Sequence, residues 1–269
     1  MEQIFGKGVS KGVAAGPISF YRRASGVIPR HEVSDTAAEL ERFRAARETA
    51  KEQLAKLYDK ALAEAGEDAA MLFEAHQMML DDLDYVEAIT NMITTQEINA
   101  EYAVGTTGDN FSQMFASMDD DYMRERAADV KDISERVVSI LSGNQGGGLV
   151  TDTPVILAAD DLAPSETVQL DKDMVLSFVT QGGSTNSHTA ILARTMNIPA
   201  IIGMGESLTE EYEGRMGIVD GATGNLFIDP DEETLKIYQE KQREYKEKQE
   251  LLQQLKGEEN ISLDGQKVK

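Results

Sequence analysis

The chain has 269 residues, enough for two domains and a sizeable core in at least one, and its apolar and charged content is that of a globular protein, not a disordered one. A formal net charge of −22 argues against nucleic acid or an anionic membrane surface as partner and for a basic protein surface. With no cysteine and only His31, His76 and His188, there is no disulfide framework or thiol chemistry, and the ligand supply for a structural zinc site is poor.

The opening MEQIFGKGVSKG has no apolar signal-peptide core and no stretch is long enough to span a membrane, so a cytoplasmic location is expected. GVAAGPISFY and GVIPR, within residues 1–30, are rich in turn residues and predict short strands. From Ser34 the pattern turns helical. Leu40, Phe43, Ala50, Leu54, Leu57 and Ala61 recur near the helical period, with Ser34 or Asp35 as cap. Further helical stretches run over about 68–92, 99–118 and 122–141, the last carrying Ala127, Val130, Ile133, Val137 and Leu141. Together they predict a bundle of about four helices.

SGNQGGG (142–148) interrupts that pattern as a boundary loop. VILAA, MVLSFVT, AIIG, GIVDG and NLFID then alternate with helical stretches near 165–171 and 188–197, the signature of an α/β domain. The early strands are assigned to the same domain, which makes the bundle an insertion. From Asp231 to about Lys256 the chain predicts a charged helix with a thin apolar stripe, more a linker than a core element. The closing ISLDGQKVK starts a strand-like pattern and stops, as if cut from a longer protein.

One stretch asks for chemistry. In GGSTNSHTAILAR (182–194), Gly182 and Gly183 allow backbone geometry that other residues avoid. Ser184 to Ser187 are helix-capping types, and His188 falls in the first turn of a short apolar helix. Unpaired amides and the helix dipole favour an anion there, and Arg194 adds a fixed cation nearly two turns on. The bland alternative is a capping or core histidine. No GxxxxGK[ST] cradle for a nucleotide occurs, so an imidazole that carries a phosphoryl group covalently is the leading chemistry. A second signal lies between Glu64 and Asp84, where seven acidic residues and no lysine or arginine surround Met71, Met78 and Met79. Methionines at helical spacing are ordinarily core, but beside an acidic rim they also suit an adaptable docking surface.

GGSTNSHTAILARTMNIPAIIG resembles the phosphohistidine signature of the phosphoenolpyruvate-utilising enzymes. LAADDLAPSETVQL, MLFEAHQMMLDD, DDDYMRERAADVKDI and the closing ISLDGQKVK extend the resemblance over essentially the whole chain. Together they resemble the N-terminal half of the Enzyme I family of the bacterial phosphoenolpyruvate:sugar phosphotransferase system. The family loop reads glycine, glycine, any residue, threonine, serine, histidine; here one extra residue precedes His188, which leaves the roles of Ser184, Thr185 and Asn186 open.

The resemblance implies an α/β phosphohistidine (swivelling) domain from residues 1–30 and 147–230, an inserted all-α helical bundle at 31–146, a C-terminal linker helix at 231–258 and, at 259–269, the start of a further domain. It implies that His188 takes a phosphoryl group on Nε2 from phosphoenolpyruvate and passes it to the small phosphocarrier HPr. Arg194 would hold the phosphoryl oxygens, Thr167 would lie beside the imidazole, and Gly182, Gly183, Ser187 and Thr189 would shape the loop. HPr would bind at Glu67, Asp68, Glu74, His76, Met78, Met79, Tyr122 and Arg126, although His76 could equally be a surface histidine without a role. His31 is expected to be structural or exposed. No cofactor or metal is expected within these residues. Magnesium, phosphoenolpyruvate and the homodimer contacts would belong to the further domain, so a monomer that exchanges phosphate with HPr alone is expected.

Three other functions stay in view. A dikinase or phosphoenolpyruvate synthase would need an ATP-binding domain. The phosphotransferase subunit of a dihydroxyacetone kinase would need a fused HPr-like domain. A non-catalytic acidic interaction module would account for charge and methionines but leave the histidine loop without a reason.

Overall fold

The structure is a computed structural model, and it describes residues 1–22, 27–143, 153–185 and 187–254. Part of the 142–148 boundary loop, Asn186 and the closing ISLDGQKVK lie outside the described residues.

Among the described residues eight strands form one sheet: β1 (Glu2–Phe5), β2 (Lys7–Ser10), β3 (Val13–Tyr21), β4 (Val155–Ala159), β5 (Val175–Thr180), β6 (Ala200–Ile202), β7 (Met216–Asp220) and β8 (Asn225–Ile228). Their order is β1-β8-β7-β3-β4-β5-β6-β2, with β3 to β6 parallel and the two flanks antiparallel. β4 is buried along its whole length, as a central parallel strand covered on both faces must be. Alternate residues face opposite ways: Leu157 and Phe178 join one core, Ile156 and Val179 the other.

β3 and β4 are adjacent and parallel, with Ile18 opposite Ile156, so the chain must cross over between them. The crossover is the bundle: α1 (Thr36–Ala65), α2 (Glu67–Leu80), α3 (Leu83–Gln96), α4 (Ala100–Ala116) and α5 (Asp121–Leu141). Asp35 caps α1 by accepting the Ala38 amide at 2.9 Å, and Phe43, Ala46, Ala50, Leu54, Leu57 and Ala61 bury one stripe of it. Two expectations need correcting. The stretch 68–92 is two helices, because Asp82 accepts the Tyr85 amide at 3.1 Å and starts α3 as its cap, which gives the bundle five helices among the described residues. GVIPR is not a strand: residues 27–30 have no regular structure and Val27 is 96 % exposed.

Two short helices, α6 (Pro164–Val168) and α7 (His188–Thr195), lie on the sheet face toward the bundle. Their buried residues Val168, Ala190, Leu192 and Ala193 belong to the same apolar cluster as Phe43, Leu54 and Phe73 of the bundle, so a continuous core joins the two parts. The final helix, α8 (Glu232–Gln254), runs against β3 with Tyr238 on Phe227 at 5.0 Å between ring centroids. It buries no described side chain fully, in keeping with its thin apolar stripe.

Candidate active site

The site is assembled where α7 meets α5. Ser187 caps α7, accepting the Ala190 amide at 3.2 Å, and His188 is the first helical residue. The loop before it is shaped by backbone bonds. Gly182 N–H donates to the Asp160 carbonyl at 2.8 Å, and the Gly182 carbonyl accepts from Gly203 at 2.9 Å. Gly183 has φ +105°, and a Cβ there would sit 3.3 Å from Ile202 Cβ, so the position needs glycine on both counts. Thr189 is buried and donates its hydroxyl to the Leu162 carbonyl at 2.7 Å, tying the helix start to the β4–α6 loop.

The imidazole of His188 stands half-buried at the wall of a cavity of about 950 Å³, with Asp129, Glu125, Ser184 and Asp161 also in the lining. His188 Nδ1 lies 3.3 Å from Asp129 Oδ1 on α5. Asp129 is 4 % exposed. Burial alone would push its carboxyl up, but the hydrogen bond to His188 and the proximity of His76 outweigh that and hold it at about 2. The same hydrogen bond raises His188 above the ordinary imidazole value, against partial burial; Glu125 adds to the rise and Arg126 opposes it. The tautomer that suits this contact places the proton on Nδ1, which leaves Nε2 with a free lone pair. A buried carboxylate behind one nitrogen therefore makes the other a nucleophile.

Asp129 is the residue that the sequence reading missed. The signal was an acid on the buried stripe of α5, directly before Val130 and one turn before Ile133. Asp132, on the same stripe, accepts the Ser165 amide at 3.2 Å and the Ser165 hydroxyl at 2.6 Å. It thereby ties α5 to the first turn of α6.

The other expected site residues are spread more widely. Thr167 is fully buried on α6, and its hydroxyl donates to the Ala163 carbonyl at 3.0 Å. Arg194 is exposed in the last turn of α7 and reaches back to donate to the Thr185 carbonyl at 3.3 Å. Glu67, Asp68 and Glu74 are exposed on α2; Met78 is 70 % exposed and Met79 half-buried. Tyr122 is exposed on α5 and its hydroxyl accepts from Arg126 Nη2 at 2.7 Å, with the guanidinium 4.9 Å above the ring. His76 departs from expectation. It is 0 % exposed, because it continues the buried stripe of Phe73 and Leu80, and so it is no part of that surface. Among the described residues no group of three or more side chains could hold a metal ion, and no helix is long and apolar enough to cross a membrane.

Residues 5–126 match the family description "PEP-utilising enzyme, N-terminal" and residues 151–224 match "PEP-utilising enzyme, mobile domain". The solution structure of an Enzyme I protein superposes with a TM-score of 0.71 at 35% identity, covering 90% of this chain and 99% of that one. The chain belongs to the Enzyme I family of phosphoenolpyruvate-utilising enzymes. A structure of the N-terminal domain of "Enzyme 1 - Nitrogen" is similar at 26% identity with a TM-score of 0.60, covering 88% of this chain and 98% of that one. The phosphoenolpyruvate-protein phosphotransferase of Bacillus subtilis is 37% identical over 270 residues, and that of Staphylococcus carnosus 38%. The alignments take in 100% and 99% of this chain but 47% of either relative, so the chain spans about half the length of the curated relatives it matches. In the family's terms, His188 and the bundle lie in different matched segments: Asp129 follows the first, and α7 is inside the second.

Proposed function

We propose that the chain is a phosphoryl carrier in which His188 Nε2 accepts a phosphoryl group and gives it up to the phosphocarrier HPr. In the forward step the P–N bond to His188 breaks as a P–N bond to the acceptor histidine forms. The reverse step takes phosphate from phosphorylated HPr. The observation that carries the proposal is the 3.3 Å contact of His188 Nδ1 with a buried carboxylate, in a side chain that also lines an open cavity. Asp129 fixes the tautomer and offsets positive charge on the ring, while Gly183, Ser184, Ser187 and Thr189 line the approach. Phosphoryl transfer needs mostly such positioning and charge stabilisation. Arg194, on the same helix as His188, serves the phosphoryl oxygens once it releases Thr185, and the Thr167 hydroxyl serves beside the imidazole once it releases the Ala163 carbonyl.

The docking surface for HPr is the exposed acidic side of α2 and the start of α3. Glu67, Asp68 and Glu74 surround exposed Met71 and Met78, with Leu83 75 % exposed beside them, and Met79 is in partial reach. Tyr122 and Arg126 on α5 extend it toward His188. Negative charge steers a basic partner, and flexible methionines adapt to its apolar patch. Phosphoenolpyruvate, magnesium and the homodimer contacts are assigned to the part of the relatives' length that this chain does not span, and the location is cytoplasmic. The dihydroxyacetone kinase subunit is less apt because it would need a fused HPr-like domain, and the purely non-catalytic module because it leaves the contact of His188 with Asp129 without a reason.

Phosphorus NMR of the chain after incubation with phosphorylated HPr tests this. A single Nε2-phosphohistidine resonance is expected; an Nδ1 adduct or a phosphate ester would overturn the assignment.

A further inference from the structure

Asp129 Oδ1 has two imidazoles against it. His188 Nδ1 and His76 Nε2 each lie 3.3 Å from that one oxygen, from α7 and α2 respectively. Only His188 is aligned to hydrogen-bond; neither ring nitrogen of His76 makes a hydrogen bond among the described residues. His76 has no exposed surface, stands edge-on to Phe73 at 5.8 Å between ring centroids, and shares its stripe of α2 with fully buried Phe73 and Leu80. The stripe of α1 that packs along α2 is apolar there, from Ala50 to Ala61. Beyond Asp129, Glu125 and Arg126 of α5 act on His188 most directly, and Asp160 and Asp161 of the β4–α6 loop and Arg124 and Lys131 of α5 line the same cavity.

A fully buried imidazole with no aligned hydrogen bond on either nitrogen is an expensive way to fill space, and an apolar side chain would pack there without that penalty. The arrangement makes sense if the partner is only temporarily taken. His188 is 32% exposed at the cavity wall, and as a carrier it must leave Asp129 to meet groups on other molecules. Asp129 stays behind, enclosed by α2 and α5, and a buried carboxylate without a partner is strongly disfavoured. His76 Nε2 is already at distance and needs only to turn toward it.

We propose that His76 is a positioning residue that alternates with His188 at Asp129 Oδ1, donating its Nε2–H to the carboxylate whenever His188 swings away. No proton changes owner in this exchange; one hydrogen bond replaces another. His76 thereby sets how tightly Asp129 holds the carrier histidine, and how readily the carrier is released. The inference rests on the reading of His188 as the phosphoryl carrier, but its first two readouts do not require phosphate.

The test uses the full chain, labelled with ¹⁵N at histidine. In His188→Ala, the His76 Nε2–H resonance is expected to move downfield and to become protected from exchange with water, since Asp129 is then free for it. In His76→Phe, which fills the space without a donor, the titration midpoint of His188 rises by about one unit, a tenfold tighter hold on its proton. Phosphoryl transfer to HPr slows by a similar factor. His76→Gln keeps an N–H near Nε2 and restores both. A merely structural His76 predicts the same loss of stability in both variants and an unmoved His188 midpoint. Equal midpoints in Phe and Gln variants, or an unchanged His76 resonance in His188→Ala, overturn the proposal. Should the Phe variant not fold, the His188→Ala arm decides alone, because it leaves the α2 core intact. Failure of the parent chain to take up phosphate sinks the carrier reading instead, and phosphate uptake with a motionless His76 sinks only this inference.

Discussion

Replacing Asp129 by asparagine keeps the shape of the side chain and removes its charge. In the folded protein Asp129 is held at about 2 against an ordinary 3.8, because the pairing with His188, helped by His76, outweighs the effect of burial. A difference of nearly two units corresponds to roughly 2–3 kcal/mol of preference for the ionised form. The sign follows from the depressed value: this stabilisation is complete above about pH 4 and disappears as pH falls toward 2. In Asp129→Asn that part of the acid sensitivity vanishes, so the variant loses less stability than the parent between pH 4 and 2 in urea unfolding. At the site, the leading cause of the raised His188 value is gone, and its titration midpoint falls toward that of an ordinary imidazole. Phosphate uptake needs His188 unprotonated, so in the parent it rises as pH climbs through the elevated midpoint, and in the variant that rise moves to lower pH. On the high-pH plateau the variant is slower. A charge-assisted hydrogen bond of about 1.5–3 kcal/mol on Nδ1–H is reduced to a neutral one of about 0.5–1.5 kcal/mol, and the loss of about 1–1.5 kcal/mol predicts roughly 10-fold less transfer. The assay is the initial rate of phosphate uptake from phosphorylated HPr between pH 5 and 9, with histidine NMR alongside. An unmoved His188 midpoint with an unchanged rate profile would show that Asp129 does not govern the imidazole.

Other perturbations follow from the same geometry. Gly183→Ala puts a side chain at φ +105° against Ile202 and is expected to destabilise the fold by about 1–2 kcal/mol, read as a lower Tm. Asp132→Ala leaves the buried amide and hydroxyl of Ser165 without their partner. It is expected to cost about 1–3 kcal/mol in urea unfolding, with α6 losing amide protection first. Glu74→Lys reverses charge on the exposed face of α2, where HPr affinity is expected to drop and its dependence on salt to weaken in calorimetric titrations. Met78→Ala removes an exposed apolar contact on the same face and lowers affinity without flattening that salt dependence.

Periodicity and turn chemistry made the architecture legible because they are local. The apolar stripe of α1, the Asp35 cap, the five later strands and the short α7 can all be read from residues within a few positions of one another. The break at Asp81–Asp82 was hidden because Leu80 and Leu83 keep a three-residue spacing straight across it, so the apolar rhythm continues where the backbone does not. GVIPR has the β-branched composition of a strand but no neighbouring strand to pair with. At the site, the histidine and its loop were recognisable because a glycine pair, capping residues and an imidazole lie within seven positions. The partner was not. Asp129 is 59 residues from His188, and a helical stripe shows that an acid is buried without showing what it meets. His76 was assigned to the surface although its neighbours one turn away, Phe73 and Leu80, marked the buried stripe; the acidic residues around it obscured that signal.

The central claim is that His188 itself carries the phosphoryl group. Intact mass spectrometry of the chain after mixing with phosphorylated HPr, run beside His188→Ala, tests it most directly. One added phosphate is expected on the parent, lost on brief acid treatment, and none on the variant even though HPr still binds it. A phosphate that persists on His188→Ala, or a parent chain that binds phosphorylated HPr and gains no mass, would contradict it.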